Sequence, residues 1–280
     1  MKLSLLLTPL LVTQFLYAES IPPIPYKTAG ERKLMLQIDQ PDDRNPGDQN
    51  PAIVFFFGGG WVGGSPKQFE PHANYFATRG MVGIRVEYRT INKKGPATPD
   101  VCIEDAKDAI RYVRKNATKL GVDPDRIAAA GGSAGGHLAA ATALVPGFEK
   151  NDAKPSSKPN ALVLFNPVLD NGPDDGWGQK RVGDDFKKYS PAHNITKDAP
   201  PAIFFLGTKD KLIPVSTMER FRDNMKKAGV RCELHLWPDG PHGYFNHGRG
   251  ENKAYIDTVT KADKFLASLG WIDGEPTLGR

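Results

Sequence analysis

Short apolar runs that alternate with helix-forming segments constrain the fold of this chain more than any other feature. The runs "AIVFFF" and "MVGIRVEY", between residues 52 and 88, have the composition of strands that are buried on both faces. The runs "RIAAAGG", "NALVLFNPV", "PAIFFLGT" and "CELHLW" follow, separated by segments of helical periodicity. Strands that alternate with helices predict a mostly parallel sheet covered on both faces, which is an α/β fold.

One domain is expected, because the chain has 280 residues, 39% of them hydrophobic, and single α/β domains commonly reach ~250 residues. We expect it to cover residues 33–272, with a proline-rich lead over residues 19–32 and a tail over residues 273–280. The alternating segment "KLMLQIDQ" predicts a first strand, and the turn-forming stretch "PDDRNPGDQNP" predicts a hairpin to "AIVFFF". Residues 166–201 form one long irregular interval, which indicates a lid or a substrate wall.

Residues 1–18 have the layout of a secretory signal peptide. One lysine precedes an apolar run of roughly fifteen residues, and Ala18 marks the cleavage position. The alternative is an uncleaved membrane anchor, but the run is shorter than the ~20 apolar residues that a span needs. We therefore expect a secreted or periplasmic protein. In an oxidising compartment Cys102 and Cys232 could form one disulfide, although two buried free thiols are the expectation.

The charge pattern and the motif content exclude several classes of function. The formal charge is +5, but lysines and arginines are interspersed with acidic residues, as on an ordinary solvated surface. The sequence contains no CxxC, HExxH or EF-hand pattern and no visible internal repeat. We therefore expect no nucleic-acid partner, no metal and no other cofactor.

The stretch "IAAAGGSAGGHLAAAT" carries a G-x-S-x-G motif, Gly131 to Gly135, between a predicted strand and a predicted helix. In that context a serine occupies a strained strand-to-helix turn with its hydroxyl exposed. Small flanking residues are needed because the turn passes close to the adjacent strand and helix. Ser133 is therefore the candidate nucleophile, and the amide of Ala134 can face a developing oxyanion. The alternative is a glycine-rich turn in which the serine has no role.

A serine nucleophile needs a base, usually histidine, and an acid that orients the base. His242, in "WPDGPHGYF" just past a strand, is the candidate base and His247 is the fallback, because parallel sheets place their sites beyond the carboxyl ends of strands. The acid should lie between the serine and the histidine in the chain. Asp210 follows "AIFFLGTK" and fits best, with Asp170 and Asp239 as rivals. A second oxyanion donor is expected in "FFFGGGWVGGS", where three glycines follow a buried run.

Together these segments resemble the α/β-hydrolase fold and, within it, the bacterial esterases that carry an HGGG-type oxyanion loop. The similarity covers about residues 33–269 and rests on "FGGGW", "EYR", "GGSAGGHLA", "GTKDKLIP" and "PHGYF". The resemblance implies a nucleophile, an orienting acid, a general base and three oxyanion amides, which would be Ser133, Asp210, His242 and the amides of Gly59, Gly60 and Ala134.

The chain departs from this family at Phe57, where the oxyanion loop usually begins with histidine. In the family that histidine braces the loop through hydrogen bonds, so its replacement bears on loop order and on rate, whereas the backbone donors remain. The resemblance also implies that Arg89 and His137 are structural.

The same resemblance suggests a class of substrate. The chain lacks the long N-terminal helical cap of lipase-like members, so we expect an open, wet cleft. It is similar to small exported acetylxylan and feruloyl esterases, which implies hydrolysis of small-molecule or polysaccharide-linked acetyl or feruloyl esters. The rings of Trp61, Trp177 and Tyr244 are candidates to contact a sugar, with core packing as the alternative. Two other hypotheses are an amidase or exopeptidase with the same triad and a non-catalytic binding protein of this fold.

Overall fold

The computed structural model describes residues 19–42, 44, 45, 47–91, 97–149 and 154–279. The predicted signal peptide lies outside these residues. Within them, eight strands form one sheet: β1 (Glu19–Ala29), β2 (Arg32–Gln40), β3 (Asn50–Phe56), β4 (Val82–Val86), β5 (Val122–Gly132), β6 (Ala161–Phe165), β7 (Ala202–Gly207) and β8 (Cys232–Trp237). The α-helices are α1 (Glu70–Thr78), α2 (Asp100–Lys115), α3 (Ala117–Leu120), α4 (Ala134–Leu144), α5 (Gln179–Val182), α6 (Val215–Lys227) and α7 (Lys253–Ala267). Short 3₁₀ turns lie at Pro66–Phe69, Gly183–Lys188, Pro191–His193 and Gly250–Asn252.

The strands follow the order β1-β2-β4-β3-β5-β6-β7-β8 across the sheet. The pairs β1/β2 and β2/β4 are antiparallel, and all the other neighbours are parallel. The sheet is therefore mostly parallel, as the sequence predicted, with an antiparallel ribbon at one edge.

The predicted hairpin between β2 and β3 is wrong. β2 pairs with β4, from Leu36 opposite Val86 to Asp39 opposite Gly83, and the connection to β3 passes over β4. The physical reason lies in β3, which is buried from residue 51 to 56. A strand that is apolar on both faces is stabilised most by burial in the interior of the sheet, where β3 lies between two parallel partners.

Residues 19–29 form a strand and not the expected lead. β1 pairs with β2 from Glu19 opposite Gln40 to Ala29 opposite Arg32, with two irregularities in register. β1 is an edge strand, and its "PPIP" segment fits that position because proline has no N–H to donate to a further strand.

The strands bury both faces, and consecutive residues of β3 show this most clearly. Ile53 and Phe55 pack in the core beneath α1 and α7, whereas Val54 and Phe56 pack in the core shared with α2, α4 and α6. Side chains alternate between the two faces of a strand, so a strand covered on both faces must be apolar throughout. This requirement explains why the run "AIVFFF" is apolar at every position.

The remaining expectations about the chain as a whole concern its thiols and its membrane segments. Cys102 and Cys232 are free and buried, as expected, and burial raises the pKa of each thiol to about 12. Thiols of that kind are unreactive. In the described part of the chain, no helix combines the length and the apolar character that crossing a bilayer requires.

Candidate active site

Ser133 lies in the turn between β5 and α4 with φ 54° and ψ −122°, a strained conformation for a residue with a side chain. The neighbouring glycines make this turn possible. A Cβ on Gly135 would lie 2.0 Å from the carbonyl oxygen of Phe56, and a Cβ on Gly131 would lie 2.4 Å from that of Gly135. The turn therefore requires glycine on both sides of the serine, and it directs the start of α4 at the hydroxyl.

The structure brings Ser133, His242 and Asp210 together. Nε2 of His242 lies 2.9 Å from Oγ of Ser133, and Nδ1 lies 2.7 Å from Oδ2 of Asp210. Because the carboxylate can only accept, Nδ1 carries the proton and Nε2 is free to accept from the serine hydroxyl. The Asp210 side chain is fully buried, and its Oδ1 accepts hydrogen bonds from the amides of Leu212 and Ile213. This carboxylate is held in one orientation.

The rival residues occupy other places. Asp170 accepts hydrogen bonds from Arg220 at 2.8 Å and from the amide of Gly172 at 2.7 Å. Asp239 is exposed and pairs with Lys209. The ring of His247 packs against Tyr255, 5.0 Å between centroids. These contacts separate Asp210 from Asp170, which sequence spacing alone did not.

The glycine loop after β3 presents backbone amides beside the serine. A Cβ on Gly58 would lie 3.3 Å from Cβ of Ser133, so the loop approaches the nucleophile closely. The amide of Gly58 donates to Oε1 of Gln68 at 2.7 Å. In contrast, the amides of Gly59, Gly60 and Ala134 donate to no other residue that the structure describes. These three N–H groups therefore have no acceptor among the described residues, and Gly59 and Gly60 line the same cleft as Ser133.

Phe57 holds the loop by packing and not by the hydrogen bonds of the family histidine. Its ring stacks on that of Tyr88 at 4.0 Å between centroids, with 15° between the planes. The Tyr88 hydroxyl donates to the carbonyl oxygen of Phe57 at 2.6 Å. Both residues are buried. The start of the loop is thus fixed by a stacked pair and one buried hydrogen bond.

Sequence reasoning missed three amide side chains at the site, of which two connect the glycine loop to the histidine loop and one connects the end of β6 to the histidine loop. Gln68, which binds the Gly58 amide, donates to Oδ1 of Asn246 at 2.9 Å, and Asn246 donates to the carbonyl oxygen of Gly243 at 2.8 Å. Asn166, after β6, accepts from the amide of Gly243 at 2.9 Å. The sequence signal for these residues is weak: Asn166 lies in the predicted strand run "NALVLFNPV", and Gln68 and Asn246 follow the segments "FFFGGGWVGGS" and "PHGYF" by three residues and one residue.

Of the three aromatic residues predicted to contact substrate, the structure places only Trp177 on the wall of the cleft. It comes from the 166–201 segment, and a Cβ on Gly60 would lie 3.4 Å from its Cη2 atom. The prediction that Trp61 and Tyr244 contact the substrate is wrong, because the exposed fractions of these residues are 0% and 5%. Trp61 lies behind Trp177, 5.1 Å between ring centroids. Both residues contribute to the core and do not reach the cleft surface.

His137 and Arg89 have structural contacts, as the resemblance implied. His137 lies in α4, and its Nε2 donates to the carbonyl oxygen of Tyr189 at 2.9 Å, which ties α4 to the 166–201 segment. Burial lowers the pKa of His137 to about 4, so the ring is neutral at physiological pH. Arg89 forms a two-point pair with the buried carboxylate of Asp105.

The cleft over Ser133 has a volume of about 450 Å³, which is within the usual range for small-molecule sites. Its walls combine the glycine loop, three side-chain amides, apolar surfaces and one arginine. The lining residues are Gly58, Gly59, Gly60, Gly64, Ser65, Gln68, Ser133, Asn166, Trp177, Leu212, His242, Gly243, Phe245, Asn246 and Arg249. Among the described residues, no group of three or more His, Cys, Asp or Glu side chains could hold a metal ion.

Known proteins share this architecture. The structure of Thermogutta terrifontis esterase 2 phosphoramylated by tabun matches with a TM-score of 0.85 and 45% identity, covering 91% of this chain and 96% of that one. The propionate-bound form of the same esterase gives a TM-score of 0.84 and 45% identity, with coverages of 92% and 96%. These matches confirm the predicted resemblance to esterases of the α/β-hydrolase fold.

Sequence relatives indicate the same group. Esterase LipQ of Mycobacterium tuberculosis is 31% identical over 237 residues, which are 76% of this chain and 54% of LipQ. An acetylxylan esterase of Xylanibacter ruminicola is 27% identical over 206 residues, 69% of this chain and 41% of the relative. This chain thus spans about half the length of these two relatives. The family model BD-FAE matches residues 36–225, and the chain therefore belongs to the BD-FAE family and has the α/β-hydrolase fold.

Proposed function

We propose that this protein is a carboxylic ester hydrolase that works through an acyl-enzyme on Ser133. The observation that carries the proposal is the continuous hydrogen-bonded chain from Ser133 through His242 to Asp210, with unpartnered amides beside the serine. The similarity in fold and sequence to known esterases also supports ester hydrolysis.

In the acylation step, Oγ of Ser133 attacks the ester carbonyl carbon while Nε2 of His242 takes the hydroxyl proton. The carbonyl oxygen becomes an oxyanion, which accepts hydrogen bonds from the free amides of Gly59, Gly60 and Ala134. Asp210 stabilises the imidazolium through the bond to Nδ1. Collapse of the intermediate breaks the bond to the alcohol, and His242 gives its proton to the departing alkoxide.

Deacylation repeats these steps with water as the nucleophile. His242 takes a proton from a water molecule that attacks the acyl carbon, and the same amides hold the second oxyanion. The carboxylic acid leaves and Ser133 regains its proton. Because each step uses groups that are already in place, little reorganisation is needed during reaction.

We further propose that the substrates are short acyl esters, acetyl or feruloyl, carried on plant or algal polysaccharides. A relative is an acetylxylan esterase, and structures of the similar esterase have been solved with propionate and with butyrate bound. The cleft is small and open on one side, and the half-buried ring of Trp177 gives it an apolar wall suited to a sugar face or an aryl group. A polymer can reach such a site without passing through a tunnel.

The experiment that tests this function compares the mature protein with Ser133→Ala. Hydrolysis of 4-nitrophenyl acetate, butyrate and octanoate is measured first, followed by release of acetate from acetylated xylan and of ferulate from feruloylated arabinoxylan. We expect rates to fall from acetate to octanoate and the alanine variant to be inactive. Equal inactivity of wild type and variant on every ester would refute the proposal and direct attention to amide substrates or to a binding role.

A covalent probe tests the acyl-enzyme separately. Because the similar esterase has been captured phosphorylated by paraoxon, we expect paraoxon to inactivate this protein by transferring a diethylphosphoryl group to Oγ of Ser133, with 4-nitrophenolate as the leaving group. Peptide mapping by mass spectrometry should locate the adduct on the peptide that contains "GGSAGG". Modification at another residue, or inactivation without any adduct, would contradict a nucleophilic Ser133.

The proposed location is outside the cytoplasm, on the basis of the signal-peptide pattern in residues 1–18. Expression of the full chain in a bacterial host, followed by fractionation and N-terminal sequencing, tests it. An exported product that begins at Glu19 supports export, whereas a cytoplasmic product that retains Lys2 contradicts it.

A further inference from the structure

Arg249 places a positive charge at the edge of the cleft over Ser133. It is a lining residue of that cleft, and its side chain is exposed. Its Nη1 atom lies 3.4 Å from the position that a Cβ on Gly243 would occupy. Gly243 directly follows His242, so the guanidinium lies beside the loop that carries the proposed general base.

Nothing in the described cleft neutralises this charge. The backbone carbonyl of Arg249 accepts a hydrogen bond from the amide of Asn252, but its guanidinium makes no hydrogen bond or ion pair with any residue that the structure describes. The cleft lining contains no aspartate or glutamate. Asp210, the acid of the same site, is buried against His242, and Glu251, two residues after Arg249 in the chain, pairs with Lys253 at 2.7 Å. A free guanidinium at an open site attracts and can bind an anion through two parallel hydrogen bonds.

The position of Arg249 also indicates which half of an ester would carry the anion. In the proposed mechanism His242 protonates the departing alkoxide, so the alcohol half must lie on the His242 side of the scissile bond. In the same mechanism the carbonyl oxygen of the acyl half binds the amides of Gly59 and Gly60. Arg249 is next to the His242 loop, and it therefore faces the alcohol half.

We propose that Arg249 selects esters whose alcohol half bears an anionic group, such as the carboxylate of an acidic sugar or a sulfate. This inference rests on the proposed ester hydrolysis and specifies its substrate class. Carboxylate and sulfate share the geometry that a guanidinium recognises. The contact forms in the substrate complex and persists in the transition state, so it acts mainly on KM.

Matched aryl acetates test the proposal. The anionic substrates are 3-acetoxybenzoate and 3-acetoxybenzenesulfonate, and the neutral reference is 3-acetoxybenzamide. We expect wild type to prefer the anions in kcat/KM, and the anionic-to-neutral ratio to fall about three- to tenfold in Arg249→Gln. Arg249→Lys should give a ratio between those of wild type and Arg249→Gln, because lysine keeps the positive charge but cannot form the two parallel hydrogen bonds of a guanidinium. Using a ratio within each variant cancels any general loss of activity.

A control variant and a salt series separate this contact from the overall charge of the protein. Lys227→Gln removes the same charge at the end of α6, shortly before β8 begins, whereas the cleft lies beyond the carboxyl end of β8, so this variant should leave the ratio unchanged. Raising the ionic strength from about 10 mM to about 1 M shortens the Debye length from about 30 Å to about 3 Å and should lower the wild-type ratio.

Three outcomes would overturn the inference. If the anionic-to-neutral ratio of kcat/KM is the same in wild type and Arg249→Gln, Arg249 does not select anionic substrates. A charge preference seen with phenyl succinate over phenyl butyrate, but not with the acetoxy pair, places the anion on the acyl half. Failure to hydrolyse any ester removes the proposed function and this inference together, whereas Ser133-dependent hydrolysis with an unchanged ratio removes only the inference.

Discussion

Gln68 donates a hydrogen bond of 2.9 Å from Nε2 to Oδ1 of Asn246, although 178 residues separate them in the chain. The same Gln68 side chain accepts from the Gly58 amide, and Asn246 donates to the carbonyl oxygen of Gly243. One amide pair therefore fixes the distance between the proposed oxyanion loop and the loop of the proposed base. We interpret Gln68 as a positioning residue.

Replacing Gln68 with methionine should lower kcat on 4-nitrophenyl acetate by about tenfold, because misplaced oxyanion donors stabilise the transition state less. It should also lower the free energy of unfolding by about 1–3 kcal/mol, since the Gly58 amide loses its partner. Gln37→Met is the control, because Gln37 accepts a hydrogen bond from Arg85 on β4, away from the glycine loop. If both variants lose stability equally and keep the wild-type kcat, Gln68 has no positioning role.

Asp210→Asn and Asp170→Asn together test the assignment of the orienting acid. An amide at position 210 can hold the wrong tautomer of His242 and cannot stabilise the imidazolium, so kcat should fall by about 10³–10⁴-fold. Asp170 binds Arg220 and the Gly172 amide, so its replacement should act mainly on stability. Steady-state kinetics and urea denaturation of both variants provide the check. A greater loss of kcat in Asp170→Asn would reverse the assignment.

Trp177 and Trp61 should respond differently to truncation, although their rings lie against each other. Trp177→Ala removes part of the cleft wall and should raise KM for feruloyl esters several-fold, while stability changes little. Trp61 is fully buried, so Trp61→Ala should lower the free energy of unfolding by about 3–5 kcal/mol. Kinetics with methyl ferulate and thermal denaturation distinguish the two effects. An unchanged KM in Trp177→Ala would exclude this ring from substrate contact.

His72 makes folding sensitive to acid. Its ring is fully buried, neither nitrogen has a hydrogen-bond partner in the described structure, and burial lowers its pKa to about 3. The unfolded chain binds a proton near pH 6.5 but the folded protein does not, so this contribution to stability is complete above pH 6.5 and is lost as pH falls toward 3. The unfolding free energy should therefore decrease by about 1.4 kcal/mol per pH unit from this residue alone.

His72→Phe should flatten that dependence by the same amount, and urea midpoints between pH 4 and 7 measure it. The aromatic neighbours Phe69, Phe165 and Tyr255 provide an apolar environment for the new ring. His235→Gln, on the exposed edge strand β8, is the comparison variant. An unchanged slope in His72→Phe would mean that His72 protonates in the folded protein.

The sequence was sufficient to predict the sheet type and to select Ser133 and His242, and it favoured Asp210 without separating it from Asp170. The turn around Ser133 needs glycines at fixed positions, and the acid and the base must follow strands in a fixed chain order. Short segments of sequence are therefore enough to recognise these features. The pairing of β2 with β4 and the incorporation of residues 19–29 into the sheet depend on contacts between distant segments. A polar stretch with turn residues looks the same whether it closes a hairpin or crosses a neighbouring strand.

Exposure was the second property that the sequence could not specify. Trp61 and Trp177 are equally good candidates by residue type, yet one is covered by the other. Tyr244 follows Gly243 at the site, but its ring turns inward, against Trp237. Gln68, Asn166 and Tyr88 gain their roles through partners between 10 and 178 residues away, and no local pattern encodes such partners.

The bond from His137 to the Tyr189 carbonyl has an evolutionary consequence. It anchors the segment that carries Trp177 to α4, the helix that directly follows Ser133. Between Trp177 and Tyr189 the chain is exposed or half-buried except at Val182 and spans two fixed ends, so its length and composition can change while Ser133, His242 and Asp210 keep their positions. Exchange of that one surface segment is therefore a route by which the compounds that fit the cleft can change without any change at Ser133, His242 or Asp210.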